Sequence, residues 1–134
     1  MSHHSNIRTL ATQAFVTAWA DRMPLLYPND GRKKPSVAPW GRFTIIQGTT
    51  INAAMTGLLQ RTPVIFGVQI HMEMHQGIKE AYESADALST LENQNFLSDD
   101  GLTTLKTKRV TLQDGGIADG YKVFSIAIDA IGDT

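Results

Sequence analysis

A chain of 134 residues with 12 basic and 13 acidic side chains, formal charge -1, has no surplus of charge to draw it to nucleic acid or to an anionic membrane. Its hydrophobic share of 42% and charged share of 19% are those of an ordinary globular protein, and its length suits one domain around one core. With no cysteine, disulfides and thiolate metal sites are excluded, and no apolar run approaches the roughly 20 residues of a membrane helix. The N-terminus lacks the charged-then-apolar layout of a signal peptide, which predicts a chain made and used in the cytosol.

Met1 to Ser5 is short and polar and reads as a disordered tail, with His3-His4 given no role. From there, Ile7, Leu10, Ala11, Ala14, Phe15, Ala18 and Trp19 recur at the spacing of one helix face, with Ser5 or Asn6 placed to cap. Pro24 bars much continuation, because proline lacks an amide hydrogen and disfavours a helical residue before it. Leu25 to Pro39 carries Pro28, Pro35 and Pro39 around the turn sequence Asn29-Asp30-Gly31 and reads as a long exposed loop. Arg32, Lys33 and Lys34 make it locally basic, although so short a charge run commonly does no more than keep a loop wet.

Trp40 to Gln47 sets Phe43 and Ile45 against Arg42 and Thr44 and reads as a strand. A tryptophan at a strand's mouth is more often a packing residue than a ligand platform, given the apolar area it must hide. Gly48 to Gln60 reads as a connecting segment with at most one helical turn, and Pro63 as a residue at the start of the next strand. In that strand Val64, Phe66, Val68, Ile70, Met72 and Met74 fall on one face and Gln69, His71, Glu73 and His75 on the other, a sheet with one dry face. After Gln76-Gly77, the residues Ile78, Ala81, Tyr82, Ala85, Leu88 and Leu91 make a helical stripe.

Ser98-Asp99-Asp100-Gly101 supplies a turn, and Leu105 to Leu112 is a polar strand whose Lys106, Lys108 and Arg109 suit a sheet edge. Asp114-Gly115-Gly116 and Asp119-Gly120 bracket a short loop. In the last strand Phe124, Ile126, Ile128 and Ala130 alternate with Val123, Ser125, Ala127 and Asp129. Both of its faces are largely apolar, which places it centrally or leaves one face to a neighbouring subunit. The expectation is a single α+β domain over 1–134: a four-stranded, mainly antiparallel sheet packed by two helices in the order α-β-β-α-β-β. Its core would draw on Phe15, Trp19, Val68, Ile70, Tyr82, Leu88 and Phe124.

Little in the chain points to catalysis. His71-x-Glu73-x-His75 puts three candidate zinc ligands on one strand face, but it is not the helical His-Glu-x-x-His arrangement, and mixed polar residues are usual on the open side of a sheet. Asp114-Gly115-Gly116 lacks the Gly-Lys-Ser/Thr of a phosphate loop. Asp99-Asp100 sits in a turn, where such pairs are commonplace. No serine nucleophile elbow is present.

Taken in order, several stretches resemble the tail-terminator and minor-tail-protein group of long-tailed bacteriophages, with its lambda-like terminator fold. They are the helix Ile7 to Arg22, the proline-bearing loop, Pro39-Trp40-x-Arg42, Arg61 to Gly67, Gly77 with the helix behind it, and Asp119-Gly120-Tyr121. The resemblance covers nearly the whole chain, departing from the commonest pattern at Thr62-Pro63, where a glycine often begins the strand. It implies a structural protein of a phage or prophage virion, not an enzyme, with no cofactor and no metal. Such a protein joins a ring, commonly a hexamer, that caps the tail tube and meets the head-completion protein. The partners implied are copies of itself, the tube protein and the head-completion protein, without specific nucleic-acid contact or a membrane. The location implied is the virion tail, assembled in the bacterial host cytoplasm. Candidate interaction residues on this reading are Tyr27, Arg32, Lys33, Lys34, Trp40 and Arg42. A head-tail connector of the same virion, a small metal-dependent enzyme using His71, Glu73 and His75, and a cellular binding module remain open alternatives.

Overall fold

Alternation along Val64 to Met72 sets the centre of the observed sheet. The computed structural model describes residues 3–20, 22–27, 39–52, 59–73, 79–118 and 120–134. In chain order these form helix α1 (His3–Trp19) and strands β1 (Leu25–Leu26), β2 (Trp40–Gln47), β3 (Ile51–Asn52) and β4 (Gln60–Glu73). Helix α2 (Lys79–Leu88) follows and runs into a 3₁₀ turn (Ser89–Leu91), then come β5 (Asn95–Leu97), β6 (Thr104–Ala118) and β7 (Tyr121–Asp133). The fold is α+β, and its two helices and four long strands keep the expected order α-β-β-α-β-β.

The sheet is larger than the four strands expected. Among the described residues it has seven, in the order β1-β2-β4-β7-β6-β5, with β3 pairing β4 off that path. All pairings are antiparallel except that of β1 with β2. The three additional strands are two or three residues long, too short for alternation to show in sequence. One of them, β1, lies inside what reads as a loop, and another, β5, lies outside the strand expected at the edge. Pro63 is not the first residue of β4 but its fourth. It is tolerated because it falls where β4 passes from β2 to β3: its carbonyl accepts from Gly48 N at 2.8 Å, and its missing donor faces the same break.

The even-numbered residues of β4 make the dry face. Phe66 meets Ile45 and Ile128 in register, Val68 meets Phe43 and Ile126, and Ile70 meets Gly41 and Phe124. Helix α1 covers this face with Ile7, Leu10, Ala11, Ala14, Phe15 and Trp19, all buried. Burying each large side chain of this set is worth roughly 1.5–3 kcal/mol. One glycine allows the close approach: a Cβ on Gly132 would stand 2.5 Å from Ile7 Cδ1. At Gly41 the crowding comes from within the sheet, where a Cβ would stand 2.7 Å from Val68 Cγ2 and 2.9 Å from Leu25 Cδ2, with Trp19 Cζ2 in ordinary contact at 3.7 Å. The helix therefore runs diagonally over β4, from Gly132 on β7 to Gly41 on β2.

The helix also begins earlier than its apolar spacing indicates. His3 and His4 lie in its first turn, where His3 Nε2 is 3.0 Å from Thr62 Oγ1 and His4 Nδ1 is 2.7 Å from Gln47 Oε1. Its other end comes before Pro24, at Ala20, which takes φ 52° and sends its amide back to the Val16 carbonyl at 3.1 Å. Helix α2 buries Ala81, Ser84 and Leu88. Tyr82, expected in the core, is 53% exposed, because it stands about 100° round the helix from Ala81 and on the side away from the sheet.

Two irregularities shape β6. Its register shifts between Thr107 and Val110, where Val110 N donates to Glu92 Oε1 at 3.1 Å and the Thr107 hydroxyl donates to the Leu91 carbonyl. It shifts again at Asp114-Gly115-Gly116, which is a bulge inside the strand and not the loop expected there. Gly116 takes φ 80° and its amide donates to Asp114 Oδ1 at 2.8 Å. Gly67, opposite Ala127, has no room at all: a Cβ there would run into the backbone carbonyl of Ile126.

The turn Ser98–Gly101 is tied to α1. Asn6, 3% exposed, donates to Asp100 Oδ2 at 3.0 Å and to Thr103 Oγ1 at 3.2 Å. The Ser98 hydroxyl at 2.6 Å, the Leu102 amide at 3.0 Å and Asn6 together hold the Asp100 carboxyl down at about 2, from an ordinary 3.8.

Two expectations follow. Gly67→Ala should cost at least about 2 kcal/mol in guanidinium unfolding, because the Ile126 carbonyl can retreat only by giving up ladder hydrogen bonds worth about 1 kcal/mol each. Asp100 has a folded value below its unfolded one, so its contribution to stability is whole above pH about 4 and is lost as pH falls toward about 2. Melting temperatures should then drop less across that window in Asp100→Asn than in the parent, and equal drops would show that the carboxylate does not hold the turn.

Candidate assembly surface

With both helices on one face of the sheet, the opposite face is where a partner can reach it. The odd-numbered residues of β4 point there, in rows fixed by the register: Trp40, His71 and Val123; Arg42, Gln69 and Ser125; Thr44, Gly67 and Ala127; Ile46, Ile65 and Asp129. Pro63 then pairs with Ile131, and Arg61 pairs with both Ile51 and Asp133. The face is not uniform along the strands.

One end is closed by aromatic packing. Trp40 is 1% exposed and lies flat on His71, with ring centroids 4.0 Å apart and planes at 1°, while Tyr121 meets the pair edge-on at 6.3 and 6.1 Å. Leu26 completes this small cluster. Trp40 is thus enclosed, as its large apolar area favours. Of the other residues expected to make contacts, Tyr27 is half-buried and packs its ring 5.9 Å from Phe43, on the main core. Arg42 is exposed, with its guanidinium 5.9 Å from the Trp40 ring. Arg32, Lys33 and Lys34 lie outside the described residues, as does His75. His71 is buried in the stack while Glu73 is exposed, and among the described residues no three His, Cys, Asp or Glu side chains gather to hold a metal.

The other end of the face is apolar and open. Ile46 is 66% exposed and Ile65, directly across from it, 48%; Ile51 is 56% exposed, Leu59 47%, and Pro63 is exposed between them. Cross-strand and i, i+2 neighbours on one face touch, so Ile46, Ile65, Pro63 and Ile131 form one continuous strip. Around it stand Asp129 and a charged group in which Arg61 grips Asp133 through Nε at 2.8 Å and Nη2 at 3.2 Å, with Lys106 Nζ at 3.8 Å. Large apolar side chains exposed side by side mark a contact surface far more often than scattered ones do. The sequence carries a signal for the strip: Ile45-Ile46 and Val64-Ile65-Phe66 each break their alternation with an apolar residue on the polar face, at positions that pair.

A second opening lies on the helix side. Between α1, the 3₁₀ turn and β5 is a groove of about 690 Å³ lined by Leu10, Ala14, Ala18, Leu91, Phe96 and Leu97 together with Gln13, Thr17, Ala87, Thr90 and Asn95. None of these residues is charged. The groove has no nucleophile–base pair in its lining and offers shape and apolar area but no chemistry.

A family model described as phage tail terminator protein matches residues 6–129. No curated protein matches the chain. A solved structure with 21% sequence identity shares the fold, covering 98% of this chain and 96% of its own with a TM-score of 0.73. No described helix is long and apolar enough to cross a membrane.

If Trp40 is a packing residue, Trp40→Ala should destabilise the fold by about 3–5 kcal/mol in chemical denaturation, as for other enclosed aromatic residues, and Trp40→Phe by less. A loss below about 1 kcal/mol for the alanine variant would mean that the ring is free to meet a partner.

Proposed function

This chain belongs to the phage tail terminator family, and on that premise we propose that copies of it close into a ring, a hexamer, that caps the tail tube and receives the head-completion protein. A structural role in the phage tail follows from the family; the ring, its position and its partners are the proposal. The observation that carries it is the strip Ile46, Ile65, Pro63 and Ile131, an apolar sheet face left open on a subunit whose core is already complete on the other side. Such a face favours burial against protein, at roughly 25 cal/mol per Å² of apolar area removed from water.

The basic residues Arg32, Lys33, Lys34 and Arg42, near Tyr27 in the chain, would act in a different way. They would meet an acidic surface on the tube or head-completion protein, speeding encounter and losing effect as salt screens them over about 8–10 Å. The ring reading assigns no catalytic step and needs neither metal nor cofactor.

The test is complementation in a phage from which the gene is removed, counting joined heads and tails by electron microscopy. The parental gene should restore completion, while the double variant Ile46→Asp with Ile65→Asp should fold, since both sites are on the surface, and fail to restore it. The triple variant Arg32→Glu, Lys33→Glu, Lys34→Glu should slow completion without abolishing it. Normal completion by the folded aspartate variant would defeat the proposal.

A further inference from the structure

We infer that the ring is built by seating the isoleucine strip of one copy in the groove between α1, the 3₁₀ turn and β5 of the next. This rests on the ring reading above and names the surfaces that would make it.

A closed ring needs a heterologous contact, in which two different patches of the subunit meet, whereas a self-complementary patch stops at a dimer. The chain offers two such patches in the required disposition. The strip lies on the face away from the helices, across β2, β4 and β7. The groove lies on the helix side, against β5 at the far end of the strand order. Each copy therefore has one partner surface on each side, and a contact that uses one leaves the other free to extend the chain of subunits.

Chemistry matches as well as position. The strip presents three isoleucine side chains and a proline ring, led by Ile46 at 66% exposure. The groove is lined by the small side chains Ala14 and Ala18 and by Leu10, Leu91, Phe96 and Leu97. Neither surface carries a charge at its centre, so joining them buries no unpaired ion, the usual penalty at a mismatched interface. Charges stand at the margins of the strip, where Asp129 pairs with Ile65, Lys106 pairs with Ile131 and Arg61 grips Asp133, and none lines the groove. In those positions they stay in water and tune approach and register.

The chain contains no cysteine, so cysteines can be introduced where they are wanted. The experiment pairs Ile46→Cys with Leu97→Cys, both at exposed sites, and treats the purified protein with a short bis-maleimide. The double variant should give a ladder of covalent dimers, trimers and larger species ending at the ring. Each single variant should give no ladder, and a mixture of the two should give a dimer and nothing larger. Efficient dimers from Ile46→Cys alone would mean that strip meets strip, and the inference fails. It fails too if the double variant gives no ladder. The mass of the parental protein in solution, measured alongside, separates the two readings: rings without a ladder leave the proposed function standing and overturn this pairing, whereas a ladder from a protein that does not complete tails does the reverse.

Discussion

The close approach of α1 to the sheet, permitted by the missing side chain of Gly132, is the constraint on which the remaining arrangement depends. With its first turns over Gly132 and its last near Gly41, the helix crosses β4 and shares β6 with α2. The two helices then meet without filling the corner above β5, and the groove is the space that remains. Both helices are committed to one face, so every apolar residue on the other face must be small, sheltered locally or exposed. All three outcomes occur: Gly67 and Ala127, Trp40 under His71 and Tyr121, and Ile46 beside Ile65.

What could be read from the sequence is what depends on period. Helix α1, the alternation of β2, β4 and β7, the second helix and the central place of β7 all follow from residues spaced by two or by three and four. What could not be read depends on contacts between distant segments. The strands β1, β3 and β5 exist because a neighbour in the sheet offers hydrogen bonds to two or three residues, and nothing in Leu25-Leu26 or Asn95 to Leu97 announces that. His3 and His4 look like a tail until Thr62 and Gln47 are placed beneath them. Asp114-Gly115-Gly116 has the composition of a loop, yet a bulge uses the same positive φ without ending the strand. Tyr82 falls outside the core because Ala81, Ser84 and Leu88 already fill the buried stripe, and the serine in that stripe hides its true centre.

The candidate surface was less legible than the fold. A basic loop and a tryptophan attract notice in a sequence, but the ring of Trp40 is enclosed, and the exposed apolar residues stand out only once the register puts Ile46 across from Ile65. A tail protein has to be stable alone in the host and adhesive on assembly. A face made of a few isoleucines between ion pairs meets both needs, since it is too narrow to drive indiscriminate aggregation and apolar enough to favour a fitted partner.

The contact between Ile7 and Gly132 joins residues from opposite ends of the described chain, and it has a consequence in time. Helix α1 precedes every strand in the chain but has no complete seat until β7 is in place, and β4 has β2 and β3 along one edge and nothing along the other until then. Long-range pairing of this kind folds slowly and all together, and little partial structure is stable on the way. Because the groove needs α1, and the strip needs β4 held between β2 and β7, neither surface takes shape before β7 joins the sheet. Any adhesion through these two surfaces would therefore wait on β7, the strand that completes both the seat of α1 and the far edge of β4.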